Sequence, residues 1–452
     1  MRALGAVLLL AAAWSPAPLA AQDTHYWSQQ YGPVAELLGG VVVGSAPDLS
    51  ATFYNPGGLA MRDDPGFLLS VQAFQDERVG LTLEGGRGET LKGGGFGSAP
   101  SLLAGSLPSG WLGKDTRLAW SFLTRQRFNV RVLTRLSSQR GTLETAAGSA
   151  NAAAELLFDQ RLSEEWGGLT ISRRFGNLGV GLTQFVAYRS QRARYELNLQ
   201  GAGADASGAA VLVVDESDYY HVRTLTKLGA ALQQGDLRLG LAVTTPSIGL
   251  FGSGKAGFTV SVSGDVDGDG RPDTVLEEDF NQGLKTHYRS PLSVALGASW
   301  RRGPSRLHAT AEWFDRVPDF VVIEPPSDAH PLDPTYQQHL ESVINLGVGF
   351  QHSFSHGVDV YAGFATDRSA APDTSPDELS LSRWDIFHFT GGVAFSVGSS
   401  RFTLGGAYAS GTADSEVALL PEPARSAAGP LPTQGSWSYR RLKFLLGYSF
   451  GS

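Results

Sequence analysis

The sequence of 452 residues contains no cysteine and only two methionines, Met1 and Met61. The absence of cysteine excludes disulfide bonds, thiolate zinc sites and cysteine nucleophiles. Charged residues are also scarce, at 18% of the chain against about a quarter in typical domains. The formal net charge is −8, and no basic stripe is present that could neutralise phosphates. Nucleic acid is therefore not expected as a partner.

Long apolar runs are equally scarce. After the N-terminus, no run reaches the roughly 18 apolar residues that a membrane-spanning helix requires. The N-terminal run, residues 3–14, follows Arg2 and leads into small residues up to Ala21. A charged start, a short apolar core and a small-residue exit are the features of a secretory signal peptide. We therefore predict that residues 1–21 are an export signal that is removed.

The chain is rich in glycine and in alternating apolar and polar positions. It contains 56 glycines and 23 prolines, which leaves little room for long helices. From about residue 66 onward, period-two alternation recurs to the C-terminus, as expected of β-strands. Residues 292–300 are an example, because Leu292, Val294, Leu296 and Ala298 alternate with small or polar residues. Each such strand has one apolar face.

The connections between the predicted strands are of two kinds. Six short turns are predicted near 108–115, 175–178, 233–236, 301–305, 354–357 and 397–400. Seven long loops are predicted near 76–98, 136–154, 200–216, 251–283, 316–338, 368–383 and 411–435. Alternating short and long connections of this number imply about 14 strands, with both chain ends on the short-turn side. This is the arrangement of a bacterial outer-membrane barrel.

We therefore predict an all-β fold, a transmembrane antiparallel β-barrel of about 14 strands over residues 65–452. In lipid every backbone N–H and C=O must find a partner within the protein, so strands can span a membrane only as a closed cylinder. The short turns are then periplasmic and the long loops extracellular. A soluble β-sandwich or propeller is the alternative, but the blade repeat of about 40 to 50 residues that a propeller shows is absent.

The segment before the barrel, residues 22–64, does not alternate. Its stretch from Gly39 to Ala60 runs through Asp48-Leu49-Ser50-Ala51 to Tyr54-Asn55-Pro56-Gly57-Gly58-Leu59. This resembles the plug of the FadL-like family of outer-membrane transporters, with Gly57 in place of the usual alanine. Asn-Pro-Gly-Gly is itself a turn signal. We predict that residues 22–64 form a plug in the lumen. Its gating residues are predicted to be Asp48, Tyr54, Asn55, Pro56, Gly57 and Gly58.

The resemblance implies passive uptake of hydrophobic compounds such as long-chain fatty acids or aromatic hydrocarbons. In that scheme a ligand adsorbs among the extracellular loops, enters an apolar pocket beside the plug and leaves through an opening in the wall. The implied partners are these molecules, the outer-membrane lipid and the barrel assembly machinery, which would read the terminal Tyr448-Ser449-Phe450. The implied localisation is the bacterial outer membrane.

The longest predicted loop contains an aspartate-rich motif. Asp265, Asp267, Asp269 and Asp273 surround two glycines at a spacing that supplies hard oxygen ligands around a tight turn. A structural Ca²⁺ bound by these four carboxylates is predicted. Position 12 of the motif is Leu276 instead of the usual glutamate, so Glu277 or Glu278 would have to substitute. The alternative is a solvated acidic turn.

Two other function classes remain open on sequence alone. One is a surface or adhesion protein that does not transport and whose loops are stabilised by calcium. The other is an outer-membrane enzyme acting on lipids, but no Gly-x-Ser-x-Gly element or metal-ligand spacing of histidines is present. Residues 249–255 have phosphate-loop spacing, but Ala256 stands at the Ser/Thr position. We therefore predict a transporter and not an enzyme.

Overall fold

A computed structural model describes residues 24–45, 47–62, 66–83, 90–145, 148–202, 208–264, 271, 273–330, 333, 336–355, 357–372, 384–416 and 434–450. The helices are short: α1 Pro33–Leu37, α2 Ala51–Tyr54 and α3 Pro56–Leu59, with a 3₁₀ turn at Gly110–Leu112. The strands are β1 Phe67–Leu83, β2 Thr90–Leu107, β3 Thr116–Thr145, β4 Gly148–Phe175, β5 Leu178–Ala202, β6 Gly208–Gln234, β7 Leu237–Thr244, β8 Ile248–Gly264, β9 Asp273–Lys285, β10 Ser293–Arg302, β11 Ser305–Phe314, β12 Val317–Ile323, β13 Tyr336–Leu340, β14 Val343–Ser353, β15 Val358–Asp367, β16 Asp385–Val397, β17 Ser400–Glu416 and β18 Gln434–Phe450. No helix within these ranges is long and apolar enough to cross a bilayer.

Fourteen of the strands form one closed antiparallel barrel. They are β1–β7, β10, β11 and β14–β18, and their neighbours follow in chain order. The first and last strands pair from Phe67 opposite Phe450, and the pairing of β5 with β6 completes the circle. The predicted fold class is confirmed. All six short turns lie where the sequence predicts them, at the end of the barrel where β1 begins and β18 ends.

Four strands lie outside this circle. Strand β7 pairs with residues 227–234 of β6, and β8 pairs with residues 210–224 of the same strand. Strand β9 pairs with β8. The β12–β13 hairpin forms a separate two-stranded sheet. Both hairpins belong to connections that the sequence predicts as long loops, after β7 and after β11.

The alternation places apolar side chains on the outside of the barrel. In β10, Leu296 is 60% exposed, whereas its neighbour Ala295 is buried. In β18, Phe444 is 54% exposed and Lys443 is buried. Because a soluble strand buries its apolar face, this reversed pattern is the one expected of a barrel that faces lipid.

The strands extend further than the sequence predicts. Strand β3 has 30 residues and β4 has 28, so the segment 136–154, predicted as a loop, is mostly a strand hairpin. The same correction applies to 76–98, 200–216 and 251–283, whose ends belong to strands. Above a membrane, a strand pair needs no apolar face, because antiparallel pairing alone satisfies its backbone groups. Hydrophobic alternation therefore stops before the strands do.

Candidate functional site

The described part of the N-terminal segment lies inside the barrel. Helix α1 contacts β15–β18, and α3 contacts β4–β7. Leu37, Leu38 and Leu59 are fully buried and share one core with wall residues such as Leu68 and Leu102. The apolar side chains of this segment therefore pack outward onto the inner wall of the barrel.

The turn at Asn55 joins this segment to the wall. The Asn55 amide donates to the backbone oxygens of Val43 and Ala230, both at 2.9 Å, and its Oδ1 accepts from the N–H of Gly57 at 3.1 Å. Asn55 is thus the N-cap of α3, and Pro56 occupies the first turn, where a backbone N–H has no helical partner. One side chain therefore connects two parts of the N-terminal segment to β6.

Glycines allow the turn to touch the wall. A Cβ atom on Gly57 would lie 2.6 Å from the oxygen of Gly179 and 2.7 Å from that of Gly229. A Cβ on Gly240 would lie 2.0 Å from the oxygen of Val43. Because both surfaces lack side chains here, backbone meets backbone, and any larger residue would push the turn away from the strands.

The other predicted plug residues lie in the same buried segment. Asp48 accepts from the N–H of Ser50 at 2.8 Å through Oδ1, and the Tyr54 hydroxyl accepts from the N–H of Tyr31 at 3.0 Å. Gly58 is buried within α3. Tyr54 to Gly58 are brought together at the wall, whereas Asp48 stabilises the turn before α2. Their role in gating stays a prediction.

The predicted calcium motif lies largely outside the described residues. This holds for Asp265, Asp267 and Asp269, and for the side chain of Asp273, whose backbone begins β9. Elsewhere in the described chain, no three His, Asp or Glu side chains lie close enough to hold a metal ion. The calcium site stays a prediction.

A cavity lies between the N-terminal segment and strands β3, β4, β6, β7, β10 and β11. Its empty space, counted to its open mouth, is about 850 Å³. Phe53 is at the centre of its aromatic wall, with ring centroids 4.5 Å from Tyr31, 5.2 Å from Tyr54 and 6.0 Å from Trp166. Aromatic side chains are common in the lining of sites for apolar ligands.

The cavity also contains buried cations, so it is not the purely apolar pocket that the family resemblance implies. Lys227 Nζ lies 4.3 Å from the centroid of the Phe53 ring, and Arg125 lies 5.6 Å from that of Trp166. Arg125 donates to the Tyr31 hydroxyl at 3.1 Å and to the Tyr26 oxygen at 2.7 Å. Across the described ranges, neither cation forms an ion pair with a carboxylate. Cation–π contacts stabilise them instead.

A charged network forms another side of the cavity. Glu164 accepts from Arg189 at 3.0 Å, from Arg223 at 2.5 Å and from the Trp166 indole at 2.6 Å. The Tyr288 ring lies 3.9 Å from the Arg189 guanidinium and 4.6 Å from that of Arg223. Glu164 and both arginines are buried. Buried charges persist only with partners, and this network meets that requirement while fixing Tyr288.

The ladder between β2 and β3 is interrupted, and we call this interruption the β2–β3 opening. The two strands pair from Leu102 opposite Leu123 to Leu107 opposite Leu118, and again at Gly93 opposite Val132. In the intervening described stretch, 94–101, β2 pairs with β1 but not with β3. The sequence there is Gly-Gly-Phe-Gly-Ser-Ala-Pro-Ser. Pro100 lacks an N–H for the ladder, and glycine weakens a strand.

Irregular pairing on both sides accompanies this opening. The register of β1 with β2 shifts between Gln72 and Gln75, and that of β3 with β4 shifts between Thr124 and Gln126. The second shift leaves Arg125 without a partner on β4, so that Thr124, Arg125 and Gln126 are all buried. A bulge of this kind redirects a side chain, and here it turns Arg125 into the cavity.

A carboxylate of the N-terminal segment lies behind the opening. Glu36 Oε1 accepts from the hydroxyls of Ser70, at 2.8 Å, and Ser101. Burial raises the pKa of Glu36 to about 7, although the bonds from Ser101 and Ser70 and the nearby Lys443 ammonium lower it. Lys443 itself donates to Gln29 at 2.5 Å. The N-terminal segment is thus tied by hydrogen bonds to β1 and β2 beside the opening.

Sequence reasoning missed most of this site. Arg125, Glu164, Arg223 and Lys227 belong to strands far apart in the chain, and only the closed barrel brings them together. One signal was readable: Pro100 within a glycine-rich strand predicts a place where the ladder breaks. Most of that segment is instead predicted as part of a loop.

The fold is shared with solved transport channels. The chain superimposes on a Pseudomonas aeruginosa FadL homologue with a TM-score of 0.60 and 12% identity, covering 94% of this chain and 99% of that one. The Pseudomonas putida toluene transporter TodX matches with a TM-score of 0.56 and 12% identity, covering 94% of this chain and 99% of that one. The Ralstonia pickettii toluene transporter TbuX matches with a TM-score of 0.53 and 13% identity, covering 93% of this chain and 98% of that one. No protein-family model and no curated protein matches the sequence. The similarity establishes that this chain has the fold of the FadL and TodX channels.

Proposed function

We propose that the protein is an outer-membrane channel for passive uptake of hydrophobic compounds, such as long-chain fatty acids or aromatic hydrocarbons. The observation that carries the proposal is the aromatic cavity between the N-terminal segment and the wall. The opening beside β2 supports it, because a hydrophobic ligand that leaves there reaches lipid without crossing water. The shared fold with a FadL homologue and two toluene transporters adds to this. No chemical step is required.

The test is uptake into lipid vesicles that contain the protein, with a labelled long-chain fatty acid and labelled toluene as probes. Thr244 is buried and lines the cavity, whereas the adjacent Val243 lies on the other face of β7. Thr244→Trp should fill the cavity and lower uptake, and Val243→Trp is the matched control. If the wild type takes up neither probe faster than protein-free vesicles, the transport function is wrong. Equal uptake by both variants would exclude the cavity from the route.

The N-terminal segment is proposed to close the lumen to polar solutes. Its many wall contacts and the backbone approach at Gly57 support this role. Deletion of residues 22–60 should leave a barrel that inserts but conducts ions. Conductance in planar bilayers tests this, and a deleted protein as tight as the wild type would assign the segment another role.

The aspartate motif is proposed to bind a structural Ca²⁺. Four carboxylates within nine residues repel one another unless a cation screens them. Extracellular calcium modules bind with dissociation constants of about 10⁻⁴ to 10⁻³ M. Calcium should slow limited proteolysis between residues 251 and 283, and Asp267→Ala should abolish that protection. Equal cleavage of the folded protein with calcium and with chelator would favour a solvated turn.

A further inference from the structure

A second cavity lies in the barrel wall, several strands away from the β2–β3 opening. It is bounded by the junction of β7 and β8, the segment 287–292, and the junction of β11 and β12. Its empty space, counted to its mouth, is about 930 Å³. We call it the side cleft. Its lining includes His221, Ser247, Gly249, Arg316 and Pro318.

Three neighbouring strands stop at the same level beside the side cleft. Ser293, the first residue of β10, is opposite Thr244, the last of β7, and opposite Phe314, the last of β11. Beyond this level the barrel ladder does not continue through β7, β10 and β11 in the described chain. The ladder formed by these three strands therefore ends here, whereas β6 continues and pairs with β8 instead.

Prolines explain the common end point. Pro246 lies two residues after β7 and Pro291 two residues before β10, whereas Pro318 is the second residue of β12, four residues after the end of β11. Each lacks the N–H that a ladder requires, and each restricts the residue before it. The local sequence therefore favours the ends of β7 and β10 at this level.

A single stretch of chain separates the side cleft from the lumen cavity. Residues 288–291 line both spaces and belong to no strand. Tyr288 is buried against the arginines of the Glu164 network. Ser290 is held by its N–H, which donates to Ser247 Oγ at 2.8 Å, and by its oxygen, which accepts from the Ser247 N–H at 3.2 Å. Tyr288 is thus fixed by two buried arginines. Ser290 is held by its two neutral bonds with Ser247 and by one charged bond, in which Arg223 donates to the Ser290 hydroxyl at 3.0 Å.

The side cleft reaches the inner face of the wall. His221 and Arg223 are successive inward-facing residues of β6, and both are buried. His221 lines the side cleft and Arg223 lines the lumen cavity. The two spaces are therefore neighbours along one strand.

An exposed apolar surface adjoins the side cleft at the start of β8. The first four residues of β8 are all exposed, whereas a barrel strand normally exposes every second residue. Ile248 is 68% exposed, Leu250 53% and Phe251 62%. Gly249 between them lines the side cleft. Exposed apolar surface of this kind is suited to adsorbing a hydrophobic molecule.

We propose that the side cleft is a lateral entrance to the lumen cavity. A hydrophobic molecule adsorbs on the start of β8, enters the side cleft, and reaches the cavity when Arg289 to Pro291 swing aside from the fixed Tyr288. Arg289 lines both spaces, so a ligand with an anionic end group finds a cation on either side of the barrier. The ligand class is therefore an amphiphile with an apolar body and one anionic end. This inference rests on the proposed transport function.

The test is to lock the barrier with a disulfide. Ser247 and Ser290 are adjacent through two hydrogen bonds, and the chain has no other cysteine, so Ser247→Cys with Ser290→Cys can form one bond only. The probe is a labelled long-chain fatty acid supplied outside vesicles. Oxidised protein should lose uptake, and reduction should restore it. Ser396→Cys with Arg401→Cys, a register pair of β16 and β17, is the control that should transport in both states.

A filling variant tests the same route without oxidation. Pro318 is exposed and lines the side cleft, so Pro318→Trp should lower uptake, whereas Ser327→Trp, on an exposed turn of the same connection, should not. If the oxidised protein and Pro318→Trp both transport like the wild type, ligands do not use the side cleft. If the reduced double variant and the wild type also fail to take up the probe, the proposed transport function itself is wrong.

Discussion

The two interruptions of the barrel wall are built differently. At the first, β2 stays extended and remains paired with β1, and only its contact with β3 is lost. At the second, β7, β10 and β11 all end at one level. Pro100 and several glycines lie at the first, whereas prolines lie beside the ends of β7 and β10 at the second. The first interruption affects one strand pair and is called the slot from here on, whereas the second lies at the side cleft.

The interior groups behind the two interruptions also differ. Glu36 behind the slot accepts from two serine hydroxyls, whereas Glu164 near the side cleft accepts from two buried arginines. A neutral hydrogen bond contributes about 0.5–1.5 kcal/mol, and removing one partner of a buried ion pair costs about 3–5 kcal/mol. The contacts of Glu36 are therefore the easier ones to release, and Tyr288 is the rigid residue beside the side cleft.

Closing the slot should have the largest effect on transport. Ser101 and Thr124 lie one residue beyond the Leu102–Leu123 pair, where the ladder of β2 and β3 stops, and Thr124 Oγ1 donates to the Pro100 oxygen at 2.9 Å. Oxidation of Ser101→Cys with Thr124→Cys should reduce fatty-acid uptake to the level of protein-free vesicles, because the exit is closed.

Binding of the fatty acid in the cavity, measured by tryptophan fluorescence, should persist in this oxidised variant. In the oxidised variant Ser247→Cys with Ser290→Cys, which locks the side cleft, both uptake and binding of a fatty acid supplied from outside should be lost. Loss of binding in the slot variant would mean that the slot is an entrance as well.

Removing the central charge should have the largest effect on stability. Glu164→Gln leaves Arg189 and Arg223 buried without a carboxylate, which should lower the free energy of unfolding by about 3–5 kcal/mol. Urea unfolding in lipid vesicles measures this. Glu165→Gln is the matched control, because Glu165 lies on the other face of β4, half-exposed, and such changes are usually within about 0.5 kcal/mol. Equal losses in both variants would show that the network does not anchor the rigid side.

Separating the N-terminal segment from the wall should have an intermediate effect. A Cβ atom on Gly57 would lie 2.6 Å from the Gly179 oxygen, so Gly57→Ala must displace the turn, at a cost of about 1–3 kcal/mol. Ion conductance in planar bilayers should rise. Gly167→Ala is the control, because nothing lies within 4 Å of a Cβ there. An unchanged conductance for Gly57→Ala would show that the lumen stays closed without this contact.

The sequence predicts the barrel well because the barrel follows from local patterns. Alternation at Leu292–Trp300 and the turns that follow each strand depend on neighbouring residues, and the resemblance at Tyr54–Gly58 identifies the segment in the lumen. The cavity depends on contacts between distant strands and the N-terminal segment, such as that of Arg125 in β3 with the Tyr31 hydroxyl. A one-residue bulge turned Arg125 inward, and no periodicity predicts which residue a bulge releases.

The smallest expected effect is a pH dependence on the slot side. Glu36 is on α1 and faces Ser70, Ser101, Lys443 and Asp48, and burial raises its pKa to about 7 from the ordinary 4.5. The folded state therefore binds the proton more tightly than the unfolded state. The stability that this group contributes is fully present below about pH 4.5, falls as the pH rises, and is lost through pH 7. The measurement is hydrogen exchange of the α1 amides, corrected for intrinsic exchange rates. The protection factors should decrease across this window, by at most about tenfold per pH unit.

The control is Glu36→Gln, which cannot ionise at this position, so its protection factors should be independent of pH. If the protection of α1 in the wild type rises with pH instead, Lys443 keeps Glu36 ionised. The N-terminal segment beside the slot would then be held by charge, as Tyr288 is.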